Sequence, residues 1–473
     1  MAAKTKFQAI RGTRDLLPPE TVLWNHVEWT AHAVFGAFGF GEIRPPIFEP
    51  TELFARSIGL ETDVVSKEMY TFRDPTEELD KILINVLRFA EEKGITFGFG
   101  SDNVETPAKV QRILSEQPLL QSESVTLRPE ATASVCRAYI EHGMQQLPQP
   151  VKLYYMGPMF RRERPQKGRY RQFYQIGAEV LGGGDAPAID AEVIEMVMTF
   201  FDKLGLTGVE LDINSIGHNA PDCRPAYIEK LRAALEKVRD RLGADSQRRI
   251  ETNPLRVLDS KLEHEQAIIA TLPRIADHLC PDCAAHYAAV KRQLEMRGVF
   301  FKENWRLVRG LDYYMRTTFE ITAKGLGSQN AVCGGGRYNG LVELLGGPPT
   351  KGIGFAIGED RLILSLQESG KGAAPQGRDI YVAWMGERAY ATAVRAAKDL
   401  RNSGFSVELP PTELKFGKAL ERADKLGSRY ALILGDNEVS EGSWTLKTLV
   451  DGTQQKFTEP ELLEFLKQRK SGS

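Results

Sequence analysis

The stretch GPMFRRERPQKGRYRQFYQIGAEV, residues 157–180, decides the fold because it reads as two strands joined by a basic hairpin loop. Side chains along a strand alternate between its two faces. In residues 171–182 one face is apolar, as a protein core requires, and consists of Tyr174, Ile176, Ala178 and Val180. The alternation predicts a long antiparallel strand with one side packed on a core.

The opposite face of this strand carries an aromatic ring, an amide, a gap and a carboxylate: Phe173, Gln175, Gly177 and Glu179. A glycine between two polar groups leaves room for a ligand, so this face is a candidate ligand-binding floor. The solvent-exposed face of an edge strand is the alternative. Tyr155 lies on the preceding strand, an even number of positions from Arg161, so the two side chains are expected on the same face.

The loop between the two strands is strongly basic. Against one acid, Glu163, it holds Arg161, Arg162, Arg164, Lys167, Arg169 and Arg171. Guanidinium groups bind phosphate oxygens bidentately, so we expect phosphate recognition in this loop. A solvated charge cluster is the alternative.

A second candidate anion site lies in KGIGFAIGEDRLILSL, residues 351–366, where a glycine-containing strand turns into a helix at about Glu359. Arg361 falls in the first turn of that helix, where a positive charge opposes the helix dipole. Such a broken local rule is expected at functional sites, and the arginine could meet an anion there.

Three more segments carry polar residues in central positions. TLRPEATASVCRAYIEHG, residues 126–143, joins a strand to a helix with Glu130 and Thr132 at the junction. LVRGLDYYMRTTFEI, residues 307–321, carries Arg309, Asp312, Tyr313 and Tyr314 before an alternating strand. AVCGGGRYNGLVELLGG, residues 331–347, places three glycines before Arg337 and Tyr338.

Composition fits an ordinary globular protein. The chain has 473 residues, with 61 Lys and Arg against 63 Asp and Glu, and 42% of its residues are hydrophobic. At ~150 residues per domain this length predicts about three domains. The net charge gives no global sign of nucleic-acid binding. The absence of a signal-peptide pattern and of a long apolar stretch, with five cysteines in no regular framework, predicts a cytoplasmic protein.

Several nucleotide and metal signatures are missing from the sequence. It contains no GxxxxGK[ST] phosphate loop, no GxGxxG fingerprint and no HExxH helix, so any nucleotide must be held by arginines on a sheet. CPDC at residues 280–283 could form a zinc site with Cys223 and His286, but only one CxxC is present and the other spacings are irregular. We therefore expect ordinary cysteines at a helix end and no metal.

The organisation along the chain is α+β. LQESGKGAAPQGRD, residues 366–379, is a linker that separates residues 378–473, where strands and helices alternate as in a small α/β domain. Residues 215–302 read as an inserted helical domain between the strands LDINSIG and RLVRG. Residues 75–122 interrupt a hairpin that runs from MYTF to VTLRPE.

In family order, these motifs resemble the class II aminoacyl-tRNA synthetases, and among them the histidyl-tRNA synthetases. The matching segments are RGTRDLLP, TLRPEATA, the motif 2 region at about 151–182, LVRGLDYY, CGGGRYNGLVE, and the motif 3 region at about 351–365. GFGEIRPPIFEP fits the dimer-forming motif 1 more loosely. The likeness spans residues 8 to about 460.

The resemblance implies a catalytic domain over residues 1–372 with a six-stranded antiparallel sheet, a helical insertion and a C-terminal anticodon-binding α/β domain, usually in a homodimer. It also implies two reactions. Histidine attacks the α-phosphate of ATP to give histidyl-adenylate, and the 3′ end of tRNA(His) then takes the histidyl group. No covalent enzyme intermediate is needed, so positioning and charge stabilisation carry catalysis.

The resemblance also implies roles for individual side chains. Arg161 and Arg361 would bind the α- and γ-phosphates, Arg361 and Phe173 would sandwich adenine, and Arg169 would assist the outer phosphates. Arg309 would neutralise the α-phosphate. The histidine ligand would meet Glu130, Thr132 and Gln175 at its ammonium group, Glu179 and Tyr314 at its imidazole, and Tyr155 and Tyr338 as pocket walls. Gln166 and Arg171 would approach the tRNA acceptor end, and Mg²⁺ would accompany ATP.

Three departures from the family pattern are visible. Ala131 stands where Gly is common, the tripeptide before Arg337 is GGG where AGG is usual, and residues 75–122 have no counterpart in compact members. The alternative function is that of the noncatalytic regulatory paralogue of ATP phosphoribosyltransferase in histidine biosynthesis. That paralogue lacks the anticodon domain and typically loses the catalytic arginines.

Overall fold

The fold was obtained as a computed structural model, which describes residues 7–59, 62, 64–73, 124–308, 313–323, 330–371 and 377–471. The predicted insert at 75–122 and Arg309 lie outside these residues. Contacts divide the chain into two compact units. One comprises Met1–Asp15 and Trp24–Gly372, and the other comprises Leu16–Leu23 and Ala373–Ser473.

The larger unit contains an eight-stranded sheet and a separate three-stranded sheet with the strand order β2-β4-β3. Its strands are β1 Gly41–Glu42, β2 Phe48–Pro50, β3 Tyr70–Arg73, β4 Ser124–Leu127, β5 Val151–Phe160, β6 Gln172–Leu181, β7 Glu210–Ser215, β8 Lys302–Glu303, β9 Met315–Thr322, β10 Ala331–Arg337 and β11 Gly352–Gly358. The order in the large sheet is β1-β5-β6-β11-β10-β9-β7-β8. The six strands from β5 to β7 are antiparallel to their neighbours, and the short edge strands β1 and β8 pair in parallel. The expected six-stranded antiparallel sheet is confirmed.

Strand β6 lies between β5 and β11, in the middle of this sheet. The alternative that its polar face belongs to an exposed edge strand is therefore wrong. Its apolar face is buried, since Ile176, Ala178 and Val180 are at most 1% exposed. Phe35 supplies a ring against this layer, with its centroid 5.9 Å from that of Phe355 and 5.5 Å from that of Phe200.

The helices over the same part of the chain cover the sheet or form the insertion. They are α1 Glu20–Ala37, α2 Thr51–Ile58, α3 Thr132–Glu141, α4 Pro187–Lys203, α5 Arg224–Glu236, α6 Ala244–Thr252, α7 Glu263–Ile269, α8 Pro281–Met296, α9 Leu341–Leu344 and α10 Glu359–Glu368. Single turns of other helix types occur at Val64–Glu68, Met144–Gln146, Arg239–Arg241, Pro254–Val257 and Ile275–His278. Between β7 and α8, helices α5 to α7 contribute to a core that includes Tyr227, Leu231 and Ile269.

The expected strand RLVRG is wrong for residues 306–308, which have no strand structure. The amide of Asn214 explains the local course of the chain, because its Nδ2 donates to the carbonyls of Trp305 and Leu307 at 3.3 and 3.0 Å. Side-chain hydrogen bonds thus replace a ladder of backbone bonds there.

The smaller unit has the predicted alternation of strands and helices. Its strands are β12 Ile380–Met385, β13 Val407–Glu408, β14 Tyr430–Gly435, β15 Trp444–Thr448 and β16 Gln454–Phe457, in the sheet order β13-β12-β14-β15-β16. Its helices after the linker are α11 Glu387–Asn402, α12 Phe416–Lys425, α13 Asp436–Glu441 and α14 Glu459–Ser471. Strands β12, β13 and β14 are parallel, and β15 and β16 form the final hairpin. The α+β fold class with an α/β C-terminal unit is confirmed. Among the described residues, no helix combines the length and apolarity that a bilayer span requires.

Gly335 in β10 offers a direct test of how tightly the sheet is packed. A Cβ atom there would lie 2.6 Å from Phe319 Cζ and would overlap the carbonyl oxygen of Gly354. We expect Gly335→Ala to lower the free energy of unfolding by about 1–3 kcal/mol, as overpacked cores do. Gly36→Ala is the control, because nothing lies within 4 Å of its Cβ position. Urea unfolding that shows equal stability for the two variants would contradict this packing.

Candidate active site

A cavity of about 390 Å³ opens on the polar face of the central strands. This size is within the range of small-molecule sites. Strands β6, β9, β10 and β11, the loop after β5, and the first turns of α3 and α10 supply its walls.

Most of the predicted site residues meet in this cavity. Those that line it are Glu130, Thr132, Tyr155, Arg161, Arg169, Phe173, Gln175, Tyr314 and Arg361. The described residues that line it do not include Glu179, Tyr338, Gln166 or Arg171. Sequence segments separated by up to about 230 positions therefore converge on one site.

Three arginines form the cationic side of the cavity, each oriented by a different contact. Arg161 donates from Nε to the Pro129 carbonyl at 2.9 Å. Arg169 Nη1 lies 3.2 Å from Glu163 Oε2. Arg361 donates from Nη1 to the Ala331 carbonyl at 2.8 Å. Burial, followed by the nearby charge of Arg169, lowers the pKa of Arg361, so an anion in the cavity would relieve both effects.

Arg161 also occupies the face of Phe173, because its Cζ lies 5.2 Å from the ring centroid. The expected partner of Phe173 was an adenine base sandwiched by Arg361. In this arrangement the ring carries a cation–π contact with Arg161 instead. A stacked base would have to share or displace that contact.

The tight turn at the end of the basic loop separates its side chains into two groups. The backbone groups of Gln166 and Arg169 donate to each other at 3.1 and 2.8 Å, and Gly168 between them has φ +72°. Arg169 consequently lines the cavity, whereas Gln166 and Lys167 are exposed. Arg171 packs on the N-terminal segment, where its backbone N–H donates to the Gly12 carbonyl at 2.6 Å.

Glu130 is held at the start of α3 by the backbone. Its two carboxylate oxygens accept from the N–H groups of Thr132 and Ala133 at 2.7 and 3.0 Å. Burial raises the pKa of Glu130, and these hydrogen bonds work in the opposite direction. A positively charged ligand group beside this carboxylate would stabilise its ionised form.

Gln175 gives the clearest sign that a polar ligand belongs in the cavity. Its side chain is 9% exposed, and the buried Oε1 atom has no hydrogen-bond partner among the described residues. Leaving a buried acceptor unpaired costs about 1–3 kcal/mol, which a ligand donor would recover.

The expected gap at Gly177 is filled by the protein itself. A Cβ atom at this position would overlap the hydroxyl end of Tyr155, which faces Gly177 across the β5–β6 pair. The prediction that Gly177 leaves space for a ligand is therefore wrong. The glycine instead admits the phenol ring that forms part of the cavity wall.

Glu179 lies in the wall rather than on the cavity surface. It is 1% exposed, accepts from Thr132 Oγ1 at 2.8 Å, and accepts from the Tyr338 hydroxyl at 2.5 Å. A side chain at Gly354 would overlap its Oε2 atom. Burial raises the pKa of Glu179 to about 8, and the hydrogen bonds from Tyr338 and Thr132 offset part of that rise.

Aromatic rings close the cavity next to Tyr314. Tyr313 also lines it, and the two tyrosine rings lie 4.7 Å apart between centroids. Tyr313 contacts Tyr338 edge to face, with centroids 5.8 Å apart. The family resemblance assigned a role only to the second tyrosine of this pair, although the two are adjacent in LVRGLDYY.

Acidic residues that the sequence interpretation did not select also reach the cavity. They are Glu163, Glu320 and Asp360. Asp360 joins motif 3 to motif 2 and to the N-terminal segment, since it accepts from the backbone of Tyr174 at 3.0 Å and pairs with Arg14 at 3.1 Å. A signal existed for Glu320, because it alternates with the apolar Phe319 and Ile321 in β9 and so lies on the opposite face of the strand.

The raised pKa of Glu179 leads to a stability prediction. Between the ordinary pKa of 4.5 and about 8, the folded state keeps a proton that the unfolded state releases. The contribution of Glu179 to stability is therefore fully present below 4.5 and is lost as the pH rises to about 8. Relative to Glu179→Gln, the wild type should lose up to about 1.4 kcal/mol per pH unit in that window. Urea unfolding at several pH values measures the difference, and a gap that stays constant from acid to alkaline pH would contradict the prediction.

Comparisons with known proteins agree with this geometry. A family model described as histidyl-tRNA synthetase matches residues 108–362, and one described as anticodon binding domain matches residues 379–469. The chain is similar to proteins named histidine–tRNA ligase from Koribacter versatilis and Solibacter usitatus. Each is 49% identical to it; the first match covers 98% of both chains, and the second covers 96% of this chain and 97% of the relative.

A solved structure gives the same result. The crystal structure of the apo histidyl-tRNA synthetase of S. aureus matches with a TM-score of 0.73 and 34% identity, over 97% of this chain and 99% of that one. With the family model covering more than half of the sequence and relatives matched over almost the whole length, the chain belongs to the histidyl-tRNA synthetase family.

Proposed function

We propose that this protein is a histidine–tRNA ligase, which activates L-histidine with ATP and then transfers it to the 3′ end of tRNA(His). The observation that carries the proposal is the composition of one cavity. Arginines from two separate segments, the basic loop and the start of α10, lie on one side, and a cluster of hydrogen-bonding side chains lies around Gln175. An anionic nucleotide and a small zwitterionic amino acid fit these two halves.

In the first step, the arginines bind and orient the phosphates. Arg161 and Arg361 meet the α- and γ-phosphates, and Arg169 assists the outer ones. The negative charge that develops on the α-phosphoryl oxygens is stabilised by fixed guanidinium groups, which need little reorganisation. Arg309 adds a further positive charge at the α-phosphate, a role that rests on the family resemblance. The leaving group is pyrophosphate.

Histidine is held on the other side of the cavity. Its ammonium group meets Glu130 and the carbonyl oxygen of Gln175, which would then gain its missing donor. The resemblance gave Thr132 to the ammonium group and Glu179 to the imidazole. Because Glu179 lies behind the cavity surface, we propose instead that Tyr314 and the Thr132 hydroxyl meet the imidazole, while Glu179 accepts hydrogen bonds from Thr132 and Tyr338. A buried hydrogen-bonding site of this kind rejects amino acids that leave its polar groups unpaired.

The second step requires the tRNA end to reach the same cavity. The exposed face of the basic loop, with Arg162, Arg164, Gln166 and Lys167, supports contact with the acceptor end. The side chain of Arg171 packs against Gly12, so we assign it to holding the base of the loop and keep Gln166 as the acceptor-end contact. Phosphate contacts of this type position the nucleic acid without reading its sequence.

The proposed division of labour follows the chain. Residues 1–372 form the catalytic domain, with motif 2 at about 151–182 and motif 3 at about 351–365, and residues 215–302 form its helical insertion. Residues 378–473 bind the anticodon region. The core of the C-terminal unit, which includes Ile380, Val382 and Leu432, supports its assignment as a separate domain.

ATP binds as its Mg²⁺ complex, in which the metal lowers the negative charge of the phosphates. The carboxylate of Glu320 lines the cavity and is a hard oxygen donor of the type Mg²⁺ prefers, and phosphates and water would supply the other ligands. We also propose a homodimer, supported by exposed apolar side chains at motif 1 and beside it: Trp29, Ile47, Phe48 and Phe72. The five cysteines form no disulfide, which supports a cytoplasmic location.

The regulatory paralogue is not supported. The C-terminal unit matches an anticodon-binding model, and Arg161 and Arg361 both line the cavity. The proteins that it matches at 49% identity are named ligases.

Removing Arg361 should abolish most adenylate formation. We expect Arg361→Ala to lower histidine-dependent ATP–pyrophosphate exchange by about 10²–10³-fold, since one fixed charge is lost from the transition state. Arg248→Ala is the control, because this exposed arginine of the helical insertion makes only a surface ion pair with Asp245. Exchange by the wild type that does not depend on histidine would contradict the proposed function.

The two reactions should respond differently to loss of the C-terminal domain. Deleting residues 378–473 should reduce tRNA charging by about 100-fold, equivalent to ~3 kcal/mol of tRNA binding, while exchange stays within about tenfold of the wild type. Both rates are measured on the same preparation, so retained exchange also reports that the catalytic domain is folded. Equal losses in the two assays would argue against separate roles.

A further inference from the structure

Three cysteines and a histidine meet at the base of the helical insertion, away from the residues that line the cavity. They are His218, Cys223, Cys280 and Cys283, and one ligand atom from each lies within 4.8 Å of all the others. His218 Nδ1 is 2.9 Å from Cys283 Sγ and 3.7 Å from Cys280 Sγ. The three cysteines are 1%, 7% and 0% exposed, so the cluster is closed to solvent on the sulfur side.

The histidine in this cluster is not the one that the sequence suggested. His286 Nε2 lies 3.8 Å from Asp190 Oδ2, in a buried charge network with Arg337. His218 enters through the turn that follows β7, where Gly217 has φ +65°. A Cβ atom at Gly217 would lie 2.9 Å from Cys223 Sγ, so glycine is needed for the turn to approach the sulfur.

Two of the cysteines lie at the N-termini of helices. Cys223 precedes α5, and Cys280 precedes α8 as its N-terminal cap. The backbone N–H of Cys283 donates to Cys280 Sγ at 3.4 Å. Helix N-termini stabilise negative charge, and the thiolate is the form of cysteine that binds metals.

The donor set and its spacing suit zinc. Sulfur and nitrogen ligands placed 2.0–2.3 Å from a tetrahedral zinc ion lie about 3.3–3.8 Å from one another. In the cluster, two of the separations are 2.9 and 3.7 Å, and none exceeds 4.8 Å. Thiolate and imidazole ligands select zinc over magnesium or calcium, and four protein ligands leave no position for a substrate.

We propose that His218, Cys223, Cys280 and Cys283 form a structural Zn²⁺ site. A disulfide is the main alternative, but it would use two of the sulfurs and leave the third thiol and the imidazole buried together. The metal uses all four groups. The metal would join the segment before α5, the first helix of the insertion, to the start of α8, its last helix. It would thereby connect the two ends of the helical insertion.

The zinc site would also support the histidine side of the cavity. Arg224, next to Cys223, donates to the Tyr314 carbonyl at 2.6 Å. The Gly217 carbonyl accepts from the backbone of Arg316 at 2.7 Å. Arg316 has φ +52°, a conformation that a non-glycine residue adopts only when its surroundings hold it. The bound metal would therefore hold the segment that carries Tyr314.

Metal analysis of the full-length protein tests the proposal. Protein produced in zinc-supplemented medium and purified without chelators should contain about one zinc per chain, as a four-ligand structural site requires. Cys280→Ser and Cys283→Ser should reduce the content at least fivefold, while Cys136→Ser, which removes a buried cysteine outside the cluster, should leave it unchanged. A content near zero in the wild type, or equal zinc in all three variants, would overturn the site.

A second measurement needs no substitution. The wild-type chain produced with Co²⁺ should show the thiolate-to-cobalt charge-transfer absorption and the visible bands of tetrahedral cobalt, and a chelator should remove these bands and lower the melting temperature. All five thiols should titrate after denaturation in the presence of a chelator and without a reductant. Titration of only three thiols would indicate a disulfide and refute the zinc site, as would an octahedral cobalt spectrum.

Discussion

The arrangement of the active-site pocket depends on one buried carboxylate. Glu179 on β6 accepts hydrogen bonds from Thr132 at the start of α3 and from Tyr338 just after β10. These three residues belong to three different motifs, so a single side chain sets the mutual position of segments that are far apart in the sequence. Burying a carboxyl group is costly unless its oxygens are paired. The requirement for those two hydroxyls, and for a glycine at position 354 to leave space, therefore restricts the sequence on all sides of Glu179.

A second constraint joins the strands to the segments before them. Arg128 is 4% exposed and donates to the carbonyls of Pro45 and Pro158 at 2.7 and 3.0 Å. Asp360 similarly connects the first turn of α10 to the backbone of β6. Both use charged groups on backbone atoms, which fixes geometry without depending on the identity of the partner side chain. These contacts do not involve a ligand, so the segments that carry the cavity arginines are positioned before an anionic substrate binds.

Much of the fold and site could be predicted because it depends on local patterns. The alternation of apolar and polar side chains in residues 171–182 was sufficient to predict strand β6. The positive charge of Arg361 in the first turn of a helix was sufficient to predict an anion-binding site. Other features depend on which side chains pack against each other across the sheet, and the periodicity of the sequence does not reveal these contacts. Gly177 and Glu179 were assigned to the ligand, yet Tyr155 fills the first position and two hydroxyls cover the second. His218 was missed for a similar reason, since its proximity to Cys280 results from a turn at Gly217 that sequence spacing does not reveal.

The pairing of β3 with β4 has a consequence for the length of the segment that joins them. Arg73 and Ser124 are opposite each other in the register of the two strands. The two residues that flank the segment 74–123 therefore lie next to each other. An added stretch between such points changes the closure free energy only with the logarithm of its length, about 0.6 kcal/mol per doubling. A change in the length of the segment between Arg73 and Ser124 is therefore expected to leave the pairing of these two strands in place.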